Sequence, residues 1–291
     1  MIPAAFEYHA PASLADAVKL LGQHGDEAKI LSGGQSLIPL MKLRLATPRH
    51  VVDINGIAGL DYLKEEDGVL RIGALVREAD LEDSEFIRAR YPLLHDTSRV
   101  VADPLVRNLA TVCGNLAHAD PANDHPAAML ALGAEVVATG PRGERRIAIT
   151  SFFTGPFATA LRGDEVLTEV RVPVPLPRSG GAYLKLERKV GDFATAAVAV
   201  QVALDPAGTC VHAGVGLTNA GTVPIKARRA EGFLRGKPLD DATVRRAGEL
   251  AAEEADPVDD VRGSAAYKRD LVRVLTARAL RLAAGRAGAG R

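Results

Sequence analysis

Two short glycine-centred stretches hold the residue types best suited to chemistry, Ser32-Gly33-Gly34-Gln35-Ser36 and Thr111-Val112-Cys113-Gly114-Asn115. Glycine reaches backbone dihedrals closed to other residues and carries no Cβ to hold a ligand away. Successive main-chain N–H groups can therefore converge on phosphate oxygens. Each stretch lies between an apolar strand-like run and a helix-like run, and together they read as two halves of a diphosphate clamp. Taken alone, Gly33-Gly34 reads equally well as a C-cap or a tight bend. Neither contains Gly-x-x-x-x-Gly-Lys-Ser/Thr or a clean Gly-x-Gly-x-x-Gly, so P-loop and ordinary Rossmann binding are unsupported.

The second stretch runs into Leu116-Ala117-His118-Ala119-Asp120-Pro121-Ala122-Asn123-Asp124, which is dense in short polar side chains. Asp124 could accept from ribose hydroxyls or the polar edge of a ring system, with Thr111 and Asn115 supplementing the backbone donors. Asp124 reads equally as the N-cap of the next helix; a cap and a ligand contact use different lone pairs. His118, Asp120, Asp124 and His125 match no standard zinc or di-iron spacing, and two prolines make the segment irregular, so no metal site is expected. Nothing flanking the carboxylates suggests a sugar cleft, and no Gly-x-Ser-x-Gly elbow is present.

The elements that must position these turns follow from periodicity. Ala28 to Leu31 is a short strand, the first turn leads into a helix containing Leu37, Ile38, Leu40, Met41 and Leu43, and Val51 to Ile54 is a second strand. Pro39 is tolerated only in the first turn of that helix. Ser13 caps an upstream helix through Leu14, Ala17, Val18 and Leu21, with Gly25 near its stop. A strand begins at Val69, a polar helix near Arg77, and another helix covers Tyr91 to Val101. After the second turn come a helix ending at Gly133, a hairpin around Pro141-Arg142-Gly143, and a strand from Glu165 to Val172. Pro173 to Gly181 reads as a linker. Three strands follow, Ala182–Arg188, Ala194–Leu204 and Cys210–Leu217, then helices, the last capped at Ser264. The segment from Gly285 is expected to be a disordered tail.

Composition narrows the class further. With 291 residues the chain is long enough for two or three cores. Lys+Arg and Asp+Glu both total 36, so neither a nucleic-acid footprint nor an anionic-membrane partner is indicated. No apolar run of about 18 residues and no signal-peptide pattern appears, which makes a cytoplasmic protein without a membrane span the expectation. Cys113 and Cys210 are the only cysteines, too few for a disulfide framework or for a four-cysteine iron–sulfur site within this chain.

Several segments jointly carry a resemblance. They are Ser32 to Pro39, Met41 to Leu45, Arg107-Asn108, Ala117 to Pro121, Arg188 to Ala194 and Arg262 to Lys268. The chain resembles the FAD-binding medium subunit of the xanthine dehydrogenase and aerobic carbon monoxide dehydrogenase family, the molybdenum hydroxylases, over nearly its whole length. The resemblance implies an α+β, vanillyl-alcohol-oxidase/PCMH-like FAD fold in three parts: residues 1–56, residues 57–176, and a C-terminal three-stranded sheet with helices at 177–284. It implies FAD, with the diphosphate held by Ser32, Gly33, Gly34, Gln35 and Ser36 on one side and Thr111, Cys113, Gly114 and Asn115 on the other. Asp124 corresponds to the acidic residue after the second turn. Leu167, Lys185 and Phe193 fall near flavin-contacting positions; Lys185 reads equally as an exposed strand lysine and Phe193 as a core aromatic.

The resemblance also implies a function without a catalytic residue on this chain. Electrons from substrate oxidation on a molybdenum-cofactor large subunit would pass through a [2Fe–2S] small subunit to FAD here and on to an external acceptor, in a dimer of heterotrimers. Three positions depart from the family pattern. Gln35 stands where many relatives have His, and Gln does not titrate. Cys113 replaces a frequent glycine, and Phe193 stands where some relatives have Tyr, which would remove a phenolic hydrogen bond. Two other readings stay open: a self-contained flavin oxidase or reductase, for which Cys113 is the only local candidate tether, and an assembly subunit that has lost FAD.

Overall fold

The computed structural model describes residues 1–289. The N-terminal elements are β1 (Glu7–His9), α1 (Leu14–His24), β2 (Ala28–Leu31), α2 (Leu37–Lys42) and β3 (His50–Asp53). The strands form an all-parallel sheet in the order β1-β3-β2. Ser13 caps α1 by accepting from the Asp16 N–H at 3.1 Å, and Gly25, at φ 53°, ends it. Ala17, Val18 and Leu21 lie one helical turn apart on one stripe, so α1 buries that stripe against Val52 and Ile54. Because the sheet is parallel, the first glycine turn leaves β2 at the carboxyl end of the strands. The strand β1 was not legible in the sequence; three residues carry too little alternation to announce it.

The middle of the chain contains β4 (Leu63–Glu66), β5 (Val69–Gly73), α3 (Glu78–Asp83), α4 (Glu85–Arg90), α5 (Pro92–Arg99), α6 (Pro104–Arg107), α7 (Val112–His118) and α8 (His125–Leu132). It continues with β6 (Glu135–Gly140), β7 (Gly143–Ala148), the short pair β8 (Phe153–Gly155) and β9 (Ala158–Thr159), and β10 (Val166–Pro173). Five strands form an antiparallel sheet in the order β4-β5-β10-β6-β7. Leu70, Ile72, Val136, Ala138, Val170 and Val172 point to one face and meet Val112, Leu116 and Met129 from α7 and α8. The expected hairpin closes at the Gly140↔Gly143 pair.

The C-terminal part has β11 (Ser179–Leu186), β12 (Ala196–Leu204), β13 (Cys210–Thr218) and β14 (Ile225–Lys226), followed by α9 (Arg228–Leu234), α10 (Asp241–Glu254) and α11 (Ala265–Ala289). The antiparallel sheet therefore has four strands, since the two-residue β14 adds an edge to the three expected ones. Every residue of β12 is buried: α11 covers one face of the sheet and α8 contacts the other. The expectation of disorder from Gly285 is corrected over the described residues. The helix α11 runs on to Ala289, while Gly290 and Arg291 lie outside the described residues. Two glycines weaken this last turn, but packing outweighs propensity: Ala283 and Ala287 are fully buried, and Arg286 pairs with Asp96 at 2.5 Å.

Candidate functional site

The two glycine turns meet. Ser32 Oγ lies 3.0 Å from Thr111 Oγ1. A Cβ built on Gly33 would stand 2.4 Å from the Leu109 carbonyl oxygen and 2.8 Å from Ala110 Cα, so the first turn lies directly against the backbone leading into the second. Gly34 has φ +73°, a conformation that costs a residue with a side chain about 1 kcal/mol or more. A Cβ on Gly114 would reach 2.6 Å from Thr111 Oγ1 and 3.3 Å from Ser32 Oγ. Glycine is thus required at Gly33 by close approach to backbone and at Gly34 by dihedral, whereas a side chain at Gly114 would displace the Thr111 hydroxyl.

Each turn is fixed by its own hydrogen bonds. Thr111 is the N-cap of α7, its hydroxyl accepting from the Gly114 N–H at 3.1 Å. The Val112 N–H donates to the Val76 carbonyl and the Glu78 N–H to the Ala110 carbonyl, which pins the second turn to the start of α3. In the first turn, Gln35 Nε2 donates to the Gly33 carbonyl at 3.3 Å, and Ser36 occupies the N-cap of α2 without a side-chain cap bond. Among the described residues, the N–H groups of Gly33, Gly34, Gln35 and Ser36 donate to no protein acceptor. Four consecutive free donors beside a surface that tolerates no Cβ form a nest suited to an anion. Asn115 Oδ1 is a buried acceptor with no protein donor, available to a hydroxyl. The residues present fit the diphosphate and ribose of a dinucleotide such as FAD.

Sequence reading missed the brace between the turns. Asn55 Nδ2 donates to the Ser32 carbonyl at 2.8 Å, and Asn55 Oδ1 accepts from Arg77 at 2.7 Å. The same guanidinium donates to the Leu109 carbonyl at 2.6 Å. Asp53 accepts from both the backbone and side-chain nitrogens of Asn55, and from the Tyr8 hydroxyl at 2.7 Å. Arg77 had a place in the sequence reading as the approximate start of a polar helix, and nothing there pointed to a bond with Asn55.

Asp124 and Lys185 form a buried ion pair rather than an open ligand set. Lys185 Nζ lies 3.0 Å from Asp124 Oδ2, with the two side chains 3% and 8% exposed, and it also donates to the Val100 carbonyl and approaches Glu187. The Tyr183 hydroxyl donates to Asp124 Oδ1 at 2.7 Å. Burial pushes the Asp124 carboxyl above the usual aspartate range, with Lys185 pulling the other way; burial likewise raises the Tyr183 phenol. Two expectations are corrected here. Asp124 sits at the N-cap position of α8 but makes no cap bond, because Tyr183 and Lys185 take its oxygens. Lys185 is not an exposed strand lysine.

Three further candidates have surroundings of their own. The Cys113 side chain is turned into the core near the Ile72 and Gly73 carbonyls, and burial raises its thiol far above the ordinary range. It is not placed to tether a ring. Leu167 is 6% exposed in the same core, at the irregularity where β10 pairs with β6. The Phe193 ring is half exposed rather than a core aromatic, with the Arg262 guanidinium 5.4 Å above it. Its loop is clasped by Asp192, which pairs with Arg188 at 2.9 Å and Arg262 at 3.2 Å; the Arg188 bond is the main reason that carboxyl is pulled down to about 2.

The C-terminal sheet grips the segment that follows the second turn. The Asn219 N–H donates to the Pro121 carbonyl at 2.9 Å and Thr218 Oγ1 to the Asn123 carbonyl at 3.3 Å. In turn, Asn123 Nδ2 donates to the Asn115 carbonyl at 2.8 Å. The path from β13 to the glycine turn is therefore a short chain of hydrogen bonds.

Residues 4–175 match the family described as the FAD binding domain in molybdopterin dehydrogenase, and residues 181–283 match the CO dehydrogenase flavoprotein C-terminal domain. The carbon monoxide dehydrogenase medium chain of Afipia carboxidovorans is 44% identical over 99% of both chains, and that of Hydrogenophaga pseudoflava is 43% identical over 97% of this chain and 98% of the relative. A crystal structure of Cu,Mo-CO dehydrogenase superposes with TM-score 0.96 at 44% identity, covering 98% of this chain and 100% of the other. A chain of quinoline 2-oxidoreductase from Pseudomonas putida superposes with TM-score 0.92 at 34% identity, each covered in full.

Proposed function

Since this chain belongs to the FAD-binding medium-subunit family of the molybdenum hydroxylases, in which it is an electron-transfer component, we propose that it takes electrons from a [2Fe–2S] partner subunit and delivers them to an external acceptor. A molybdenum-cofactor large subunit completes the complex, as a dimer of heterotrimers in the cytoplasm. Among the described residues no helix is long and apolar enough to cross a membrane. The proposal divides the chain into residues 1–56 and 57–176, which hold FAD between them, and 177–284, each part with its own sheet.

Bound FAD supplies the chemistry, exchanging electrons singly or in pairs. The chain's task is to seat it. The amides of Gly33, Gly34, Gln35 and Ser36 are the donors for the diphosphate, and Asn115 offers an acceptor to a hydroxyl. The turn of Thr111, Cys113 and Gly114 contributes backbone and shape, with the Cys113 side chain serving the core. Asp124 and Lys185 act as positioning residues behind the second turn. Phe193, open to solvent on one side, is a candidate surface for the flavin ring, whereas Leu167 acts through the core.

Substrate choice is assigned to the large subunit. Relatives named for carbon monoxide, 6-hydroxypseudooxynicotine, glyceraldehyde and caffeine all align over 97–99% of this chain at 35–44% identity. One scaffold serving such different molecules does not read them.

The observation that carries the reading is the contact of Gly33 with Leu109 to Thr111. Gly33→Ala places a methyl 2.4 Å from a carbonyl oxygen and forces the turns apart. The complex carrying this variant is expected to assemble but to lose most of its flavin absorbance and to regain it poorly on adding FAD. Full FAD content in that variant would overturn the seat.

A further inference from the structure

Three histidines converge at the end of the N-terminal sheet opposite the glycine turns. Their origin is visible in the elements. In β1 and β3 the pairs Glu7↔His50 and His9↔Val52 are in register, and alternation puts Glu7, His9, His50 and Val52 on one face. The helix α1 covers that face with Ala17, Val18 and Leu21, and His24, three residues beyond Leu21, continues the same stripe onto the sheet end. His9 Nε2 lies 3.2 Å from His50 Nδ1. The His24 and His50 rings stack with centroids 3.6 Å apart, and one ligand nitrogen from each of the three rings lies within 4.8 Å of the others. Glu7 Oε2 stands 3.5 Å from His50 Nδ1, and all three rings remain partly open to solvent.

We propose that His9, His24 and His50 bind a divalent transition ion of the zinc class, with Glu7 or water as the fourth donor. Imidazole nitrogens suit Zn²⁺ at about 2.0–2.1 Å, and tetrahedral ligands at that radius are about 3.3 Å apart. The His9–His50 separation already matches this span. A hydrogen bond between two imidazoles accounts for the His9–His50 pair as it stands, and the His24 ring, now stacked on His50, turns off that stack to aim a nitrogen at the same ion. The strand β2 runs from this end of the sheet to the first glycine turn, so the ion would sit roughly 13 Å from the flavin seat, four residues of extended chain away. Its role is a clip joining β1, α1 and β3, separate from the electron path.

The test uses the assembled complex, free of affinity tags and stripped with chelator. Zinc uptake is measured by equilibrium dialysis, and the ligand set by X-ray absorption at the zinc edge. The expected result is one additional Zn²⁺ per medium chain with an imidazole-rich spectrum, lost in His24→Gln and in His50→Gln while flavin content stays unchanged. Should His50→Gln lower the yield, His24→Gln at the helix end decides alone. Absence of uptake, or uptake that both variants retain, overturns the site; a parallel loss of flavin would overturn its independence from the cofactor seat.

Discussion

At the scale of single residues, the Asp124–Lys185 pair separates holding a cofactor from holding the fold. Both side chains are nearly out of water, and Tyr183 takes the remaining oxygen. Removing one partner from such a pair typically costs about 3–5 kcal/mol, because the other charge stays buried. Asp124→Ala is expected to cost stability in that range in denaturant unfolding of the complex, and Lys185→Met less, since a neutral apolar chain leaves only Asp124 to protonate. Equal and negligible losses would show the pair to be incidental. Which residues form this pair was half legible. Short acids after the second turn and a strand lysine were both marked in the sequence, but their meeting depends on α8 packing across β12 and β13 of the sheet that carries β11, and no local pattern reports that. The bond between Asn55 and Arg77 was invisible for the same reason: each residue is ordinary in its own neighbourhood and acquires its role from a partner in another turn.

Among elements, legibility followed length and capping. The helix α1, with its Ser13 cap and apolar stripe, and the nine-residue β12 and β13 stand close to where periodicity put them. The two-residue β14 and three-residue β1 exist only because a neighbouring strand edge recruits them. The last turn of α11 shows tertiary contact overriding composition. Gly180 of β11 is what permits it, since a Cβ there would come 2.1 Å from the Ala283 carbonyl oxygen and 2.6 Å from the Ala287 nitrogen. Gly180→Val is therefore expected to lift the end of α11 from the sheet, seen as fast amide exchange from about Ala283 onward. Unchanged protection there would refute this account of the helix end.

For the molecule as a whole, the division of labour is the main expectation. The chain presents four amides without protein acceptors at its first turn and a half-exposed aromatic, which suit a relay that carries a cofactor. Purified alone and loaded with FAD, it is expected to be reduced by an artificial donor yet to leave the complex's substrate untouched. Substrate turnover by the isolated chain would contradict the assignment. The flavin seat also depends on distant parts of the polypeptide. Asn219 and Thr218 hold the segment from Pro121 to Asn123, which in turn holds Asn115. During synthesis the N-terminal portion folds first. Both glycine turns thus leave the ribosome well before the strand that steadies the second one, so durable capture of the dinucleotide must wait until β13 has emerged. Cofactor loading is therefore expected to be timed by translation, with a nascent chain stalled short of Thr218 carrying both bends yet retaining no FAD.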